Sequence, residues 1–186
     1  MANRAYLVCG EDERPACSYS EELGYDPDTE VLCASSTLLP VFWLTLFDPR
    51  EITLVAREEV SIPAPVTPLS EAKRRLLTSE SLVLQRFESF HSEWTAFRSL
   101  IADAPGSFLK VDCAQVWDLD PPQFSRLLPS ALSFWSSAKK EDWRAVLALA
   151  QVTDKSFFRG YSFLPDNTPA AQLQGYGWVR AVPWKE

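Results

Sequence analysis

Leu76, Val83, Phe87, Phe90, Trp94, Phe97 and Ile101 follow one another at steps of seven, four, three, four, three and four residues. Such steps keep every side chain on one face of an α-helix, because the helix turns once per 3.6 residues. The run begins near Ser70, just past Pro68, and stops before Pro105-Gly106, a pair that cannot continue a helix. The spacing therefore predicts one long amphipathic helix over about 70–102. Burying a large apolar side chain contributes about 1.5–3 kcal/mol, so this helix is expected to anchor the core.

Weaker signals flank it. Tyr6, Val8 and Cys9 alternate loosely and predict a short strand over residues 4–9. Residues 10–30 are polar, with Gly24 and Asp26-Pro27-Asp28, and read as a long surface loop. Ser35, Ser36 or Thr37 is placed to cap a helix through Pro40–Phe47. Ile52 to Val60 alternates and predicts a strand, as does Phe108 to Cys113 with Leu109 and Val111 facing one way. Ser61 to Pro68 carries Pro63, Pro65 and Pro68 and reads as a stiff connector that cannot pair as a central strand. It is the best internal boundary in a chain otherwise expected to be a single domain over 1–186. A helix is expected from Pro121 or Pro122 to Ser136, broken or kinked at Pro129, and another from near Lys139 carrying Trp143, Val146, Leu147 and Ala150. The tail from Phe157 reads as loops and short strands packed through Tyr176, Trp178, Val179 and Val182.

A chain of 186 residues buries about 70% of its unfolded surface on folding and needs no disulfide staple. The opening residues lack the apolar run of a signal peptide and meet Glu11-Asp12-Glu13 at once. A cytoplasmic location is expected. Cys9, Cys17, Cys33 and Cys113 contain no CxxC pair, which fits free thiols better than a zinc site.

The charge is uneven. Residues 1–30 hold Glu11, Asp12, Glu13, Glu21, Glu22, Asp26, Asp28 and Glu30 against Arg4 and Arg14, a net of -6 out of a total of -7. A concentrated negative field repels nucleic acid and attracts basic protein surfaces. The segment reads either as a solubilising loop or as a docking surface for a cationic partner. Lys73-Arg74-Arg75 is the one basic cluster and reads as an exposed helical turn.

Catalytic signatures are scarce. The sequence has no P-loop, GxGxxG, GxSxG or HExxH, and six glycines leave little material for a phosphate cradle. His91 is the lone imidazole. It would have to pair with Cys113 or a carboxylate to act as a base, and it reads more simply as a hydrogen-bonded residue at the edge of the helix face. Asp112, Asp118 and Asp120 form the one aspartate group near a helix start. They read as an acid pair, a metal group or, most simply, a cap for the next helix. No cofactor and no metal are expected. Trp43, Trp94 and Trp135 fall on apolar faces and are expected in the core, whereas Trp117, Trp178 and Trp184 fall in loops or near the end. Those three cover the core's edge or serve as contact hot spots.

The opening Met1-Ala2-Asn3-Arg4-Ala5-Tyr6-Leu7 resembles the start of a family of uncharacterised bacterial cytoplasmic proteins that begin Met-Ala-Asn-Arg-Ser-Tyr-Leu. Leu39-Pro40-Val41-Phe42-Trp43-Leu44 resembles that family's next segment, proline followed by bulky apolar residues. Ala5 stands where the family has serine, and the rest of the chain carries no such likeness. The family has no established catalytic residues, so none carry over. The resemblance implies a bacterial accessory protein. By class, small acidic proteins of this kind look like the immunity proteins of polymorphic-toxin and type VI secretion systems.

These features together predict an α+β single domain with a helical core and a small sheet. The expected function is a non-enzymatic immunity protein or inhibitor that occludes a cognate, basic toxin through its acidic segment. A small-molecule enzyme using His91 or the three aspartates is the alternative, and a structural subunit of an assembly is a third.

Overall fold

The computed structural model describes residues 4–17, 30–36, 38–150 and 173–177. Its centre is a six-stranded antiparallel sheet in the order β3-β4-β5-β1-β2-β6. The strands are β1 (Arg4–Gly10), β2 (Glu30–Ser36), β3 (Ile52–Arg57), β4 (Val60–Pro68), β5 (Phe108–Asp112) and β6 (Tyr176–Gly177). Among the described residues six α-helices complete it: α1 (Val41–Leu44), α2 (Leu69–Arg86), α3 (His91–Ala102), α4 (Ala114–Trp117), α5 (Pro121–Ser137) and α6 (Lys140–Leu149). The class is α+β.

The apolar periodicity of residues 70–102 belongs to two helices rather than one. Phe87 leaves helical geometry at φ -135°, ψ 48°, its amide capping α2 on the Val83 carbonyl (2.8 Å). A straight helix of that length would run about 50 Å, three times the roughly 16 Å radius of gyration of a compact chain this size. The chain instead folds back. Lys73 Nζ donates to the Ala102 carbonyl (2.9 Å) and Arg98 pairs with Glu80, so α3 runs antiparallel to α2. Both halves of the stripe, Leu76 and Val83 on α2 with Trp94, Phe97 and Ile101 on α3, are buried in one core.

Phe42 organises that core. It sits on the short, wholly buried α1, where Thr45 closes the turn by donating to the Phe42 carbonyl (2.7 Å). No serine or threonine caps α1. Pro40 precedes it, Ser35 and Ser36 lie in β2, and Thr37 is outside the described residues. The Phe42 ring lies 4.9 Å from Trp94, 5.7 Å from Phe97 and 6.3 Å from Phe87. Phe87 passes the contact on to Trp143 of α6 (5.9 Å), and Trp143 to Phe134 of α5 (5.0 Å). Trp43 beside it donates through Nε1 to the Gln174 carbonyl (2.9 Å). A side chain at Gly175 would stand 2.8 Å from the Trp43 ring, so this approach requires glycine.

The proline-rich segment is a strand inside the sheet rather than a connector. Pro63 accepts from the Cys113 thiol (3.0 Å) and Leu69 donates to the Ser107 carbonyl (2.8 Å). Odd-numbered residues of β4 therefore turn their backbone polar groups toward β5, and even-numbered ones toward β3. Pro63 and Pro65 lie opposite Leu54 and Ile52, beyond the Val66–Pro68 stretch that pairs with β5. Their missing amides cost no ladder bond. Pro68 lies past the start of β3. The expected Ile52–Val60 strand is correspondingly a hairpin, turning at Glu58-Glu59 with Glu58 at φ 51°. Pro129 also fails to break its helix: α5 is continuous from Pro121 to Ser137, and Pro129 is solvent-exposed.

A charged clamp fastens β4 to α2. Arg75 donates through both terminal nitrogens to Glu51 (2.8 Å each), and also to Thr67 Oγ1 (3.0 Å) and the Leu46 carbonyl (2.9 Å). Glu51 also accepts the Asp48 amide (2.8 Å), closing the 3-10 turn Pro49–Glu51. Arg75 and Glu51 side chains are only 15% and 20% exposed. Removing one partner strands the other charge in a largely dry site. Arg75→Met is expected to lower the unfolding free energy by about 3 kcal/mol, measured by urea denaturation. The double variant with Glu51→Gln is expected to lose much less than the two single losses combined.

Candidate functional site

One end of the sheet gathers Glu11, Asp12, Glu13 and Glu30, the described members of the N-terminal acidic cluster. β1 ends at Gly10, opposite Phe108 of β5, and Cys9 is paired with Glu30 at the start of β2. Glu11, Asp12 and Glu13 follow β1 directly, so they stand beside Glu30. The turn at Gly106 presses against this end; a side chain there would lie 2.7 Å from the Gly10 carbonyl, and its φ is +81°. Glu11 accepts from Ser107 Oγ (3.0 Å). Glu11, Glu13 and Glu30 are exposed and make no ion pair among the described residues.

Asp12 differs from its neighbours. It accepts from Lys110 Nζ (2.8 Å) and Arg14 Nε (2.6 Å). Lys110 is 4% exposed, on the sheet face it shares with Asp112. A buried ammonium needs a counter-ion, because an unpaired charge in a dry site is costly. Asp12 is thus committed to holding the chain down over β5, unlike the outward acids the sequence suggested. Glu21, Glu22, Asp26 and Asp28 lie outside the described residues.

The Lys110 and Arg14 hydrogen bonds hold the Asp12 carboxyl down at about 2, against an ordinary 3.8. A carboxylate depressed by folding stabilises above its unfolded value and loses that contribution as it protonates. The Asp12–Lys110 pair is therefore expected to stabilise the fold fully above about pH 4 and to lose its effect between about pH 4 and pH 2. Lys110→Met is expected to raise the Asp12 carboxyl toward 3.8, followed by carboxyl-detected NMR titration.

Among the described residues, His91, Cys113 and the three aspartates do not come together. His91 is exposed at the start of α3, and its carbonyl accepts from Thr95 (2.9 Å). Cys113 is buried and donates to Pro63, so the two form no nucleophile–base pair. Asp112 is fully buried and accepts the Ala114 amide (3.1 Å) at the head of α4. Asp118 and Asp120 are exposed, and Asp120 caps α5 through the Gln123 amide (3.2 Å). Among the described residues no group of three metal-ligating side chains converges. A groove of about 330 Å³ between α2 and α3 is lined by Lys73, Leu76, Leu77, Arg98, Ser99 and Ala102. Its cations are already engaged, Lys73 by the end of α3 and Arg98 by Glu80.

The thiols are quiet for the same reason that they are buried. Burial, then the Glu30 charge, pushes the Cys9 thiol up to about 11. Burial alone pushes Cys33 up to about 12, and burial followed by the Asp112 charge lifts Cys113 well above 9. Since the thiolate is the nucleophile, the folded protein at pH 8 is expected to resist iodoacetamide at these three positions. Mass spectrometry before and after adding denaturant checks this, with labelling confined to the denatured sample.

Trp43 and Trp94 are buried and Trp135 half-buried, as their apolar faces imply. Trp117 is buried too, in α4, with Nε1 donating to Ser125 Oγ (3.1 Å), so it is not a loop hot spot. Trp178 and Trp184 lie outside the described residues. Strand β2 has no clear counterpart in the sequence reading, although Val31-Leu32-Cys33 is apolar; it carries the Glu30 carboxylate into the acidic end. Among the described residues no helix is long and apolar enough to cross a membrane. No family model, no curated protein and no solved structure matches the chain.

Proposed function

We propose that this protein is a non-enzymatic binding protein, an immunity-type inhibitor that occludes a basic toxin of the kind delivered by type VI secretion. One observation supports the reading most. Glu11, Glu13 and Glu30 stand exposed at one end of the sheet, without a cationic partner among the described residues. The sequence joining Cys17 to Glu30 adds Glu21, Glu22, Asp26 and Asp28 and no basic residue. The like charges at this end repel one another, and a cationic surface relieves that repulsion. Association driven this way is fast and sensitive to salt. Inhibition then needs only steric cover, with no reacting group on the inhibitor.

The probe is the protein encoded beside this chain's gene, purified in an inactive form. Reversing Glu11, Glu13 and Glu30 to lysine is expected to slow its association about tenfold or more and to flatten the salt dependence. Asp12 is left intact so that the Lys110 pair still holds. Circular dichroism confirms that the variant folds. Absence of binding at low salt, or binding indifferent to the reversal, sinks the proposal.

A further inference from the structure

The two edges of the sheet are unlike. β6 spans two residues, whereas β3 spans six and pairs with β4 without a register shift. Proteins commonly blunt an edge strand with proline, lysine, a bulge or shortness. β3, Ile52-Thr53-Leu54-Val55-Ala56-Arg57, has none of these. Since Ala64, Ile62 and Val60 face β3, their partners Thr53, Val55 and Arg57 face back. Ile52, Leu54 and Ala56 therefore turn their backbone amides and carbonyls outward. Leu54, at the middle, is 65% exposed, the most exposed large apolar side chain among the described residues.

We propose that β3 joins two copies of this chain as antiparallel neighbours about a two-fold axis at Leu54, merging their sheets into one. In that register Leu54 faces Leu54 of the second copy, and Ile52 faces Ala56. Each such pair exchanges two backbone hydrogen bonds. Charge selects the register. Centred on Leu54, Glu58 at the hairpin tip falls opposite Arg50, whose side chain is 88% exposed and holds Asp48 through Nε (2.8 Å) and Nη2 (3.0 Å). Sliding by one pleat in one direction sets Glu58 against Asp48. Sliding in the other sets Glu59 against the turn at Glu51, whose carboxylate is already held by Arg75. Either slide takes Glu58 away from Arg50, and the first sets it against a like charge, which destabilises a strand pair. The two leucines then shield each other from water. This contact is independent of the acidic end and leaves it free.

Cysteine substitution tests the register. Cα atoms in a hydrogen-bonded antiparallel pair lie about 5.5 Å apart, within disulfide reach. The native cysteines are all buried. Leu54→Cys is expected to cross-link to itself under mild oxidation, whereas Thr53→Cys and Ala56→Cys are not. Sedimentation of the full chain is expected to show a dimer at about 100 µM, weakened about tenfold or more by Leu54→Lys. Glu58→Arg is expected to weaken it, and adding Arg50→Glu to restore it. A chain that stays monomeric at that concentration overturns the proposal. So does a dimer indifferent to Leu54→Lys, or one that cross-links equally from Thr53 or Ala56.

Discussion

Everything in the helical half of the molecule converges on the ring of Phe42. It touches Trp94 and Phe97 of α3 and Phe87 at the end of α2, and through Phe87 and Trp143 it reaches α6 and α5. Edge-to-face aromatic pairs add about 0.5–1.5 kcal/mol beyond their burial. Their greater effect here is geometric. A helix as short as α1 has no stability of its own, so its position is set by the rings that close around it. Once Phe42 is seated, the α2–α3 hairpin has one place to fold back.

Charge plays the complementary part at the sheet. Arg75 with Glu51, and Lys110 with Asp12, are pairs that draw polar groups inward and satisfy them there. Each ties together segments distant in sequence, α2 with the 3-10 turn in the first case and β5 with the chain after β1 in the second. A pair of this kind adds little to net stability against an apolar substitute. It does penalise any arrangement that separates the partners. Glu11, Glu13 and Glu30 take part in no such ion pair among the described residues, and the proposed partner contact rests on them.

Both proposed contacts use surfaces of the molecule. Its thiols are buried, His91 is exposed, and of the aspartates near α4 and α5 Asp112 lies buried while Asp120 caps α5. The acidic end suits encounter with a cation. The β3 edge suits pairing with another strand. They sit on different elements, so the two can act independently.

Several features were legible in the residues alone. Heptad-like spacing marked which side chains of 70–102 go inward, because a helix face is set by local periodicity. The strand at Phe108, the cap at Asp120 and the helix near Lys140 followed from equally local rules. The concentration of acids before Glu30 needed no structure at all. Tertiary structure decided what local rules leave open. The break at Phe87 carries no glycine or proline and arises because a straight helix would outrun the core. The prolines of β4 are tolerated because both central ones point their missing amides away from β3, which depends on which strands lie alongside. Asp12 was separated from the other acids by a buried lysine nearly a hundred residues away. Such outcomes depend on partners distant in sequence, and a periodicity along the chain carries no information about them.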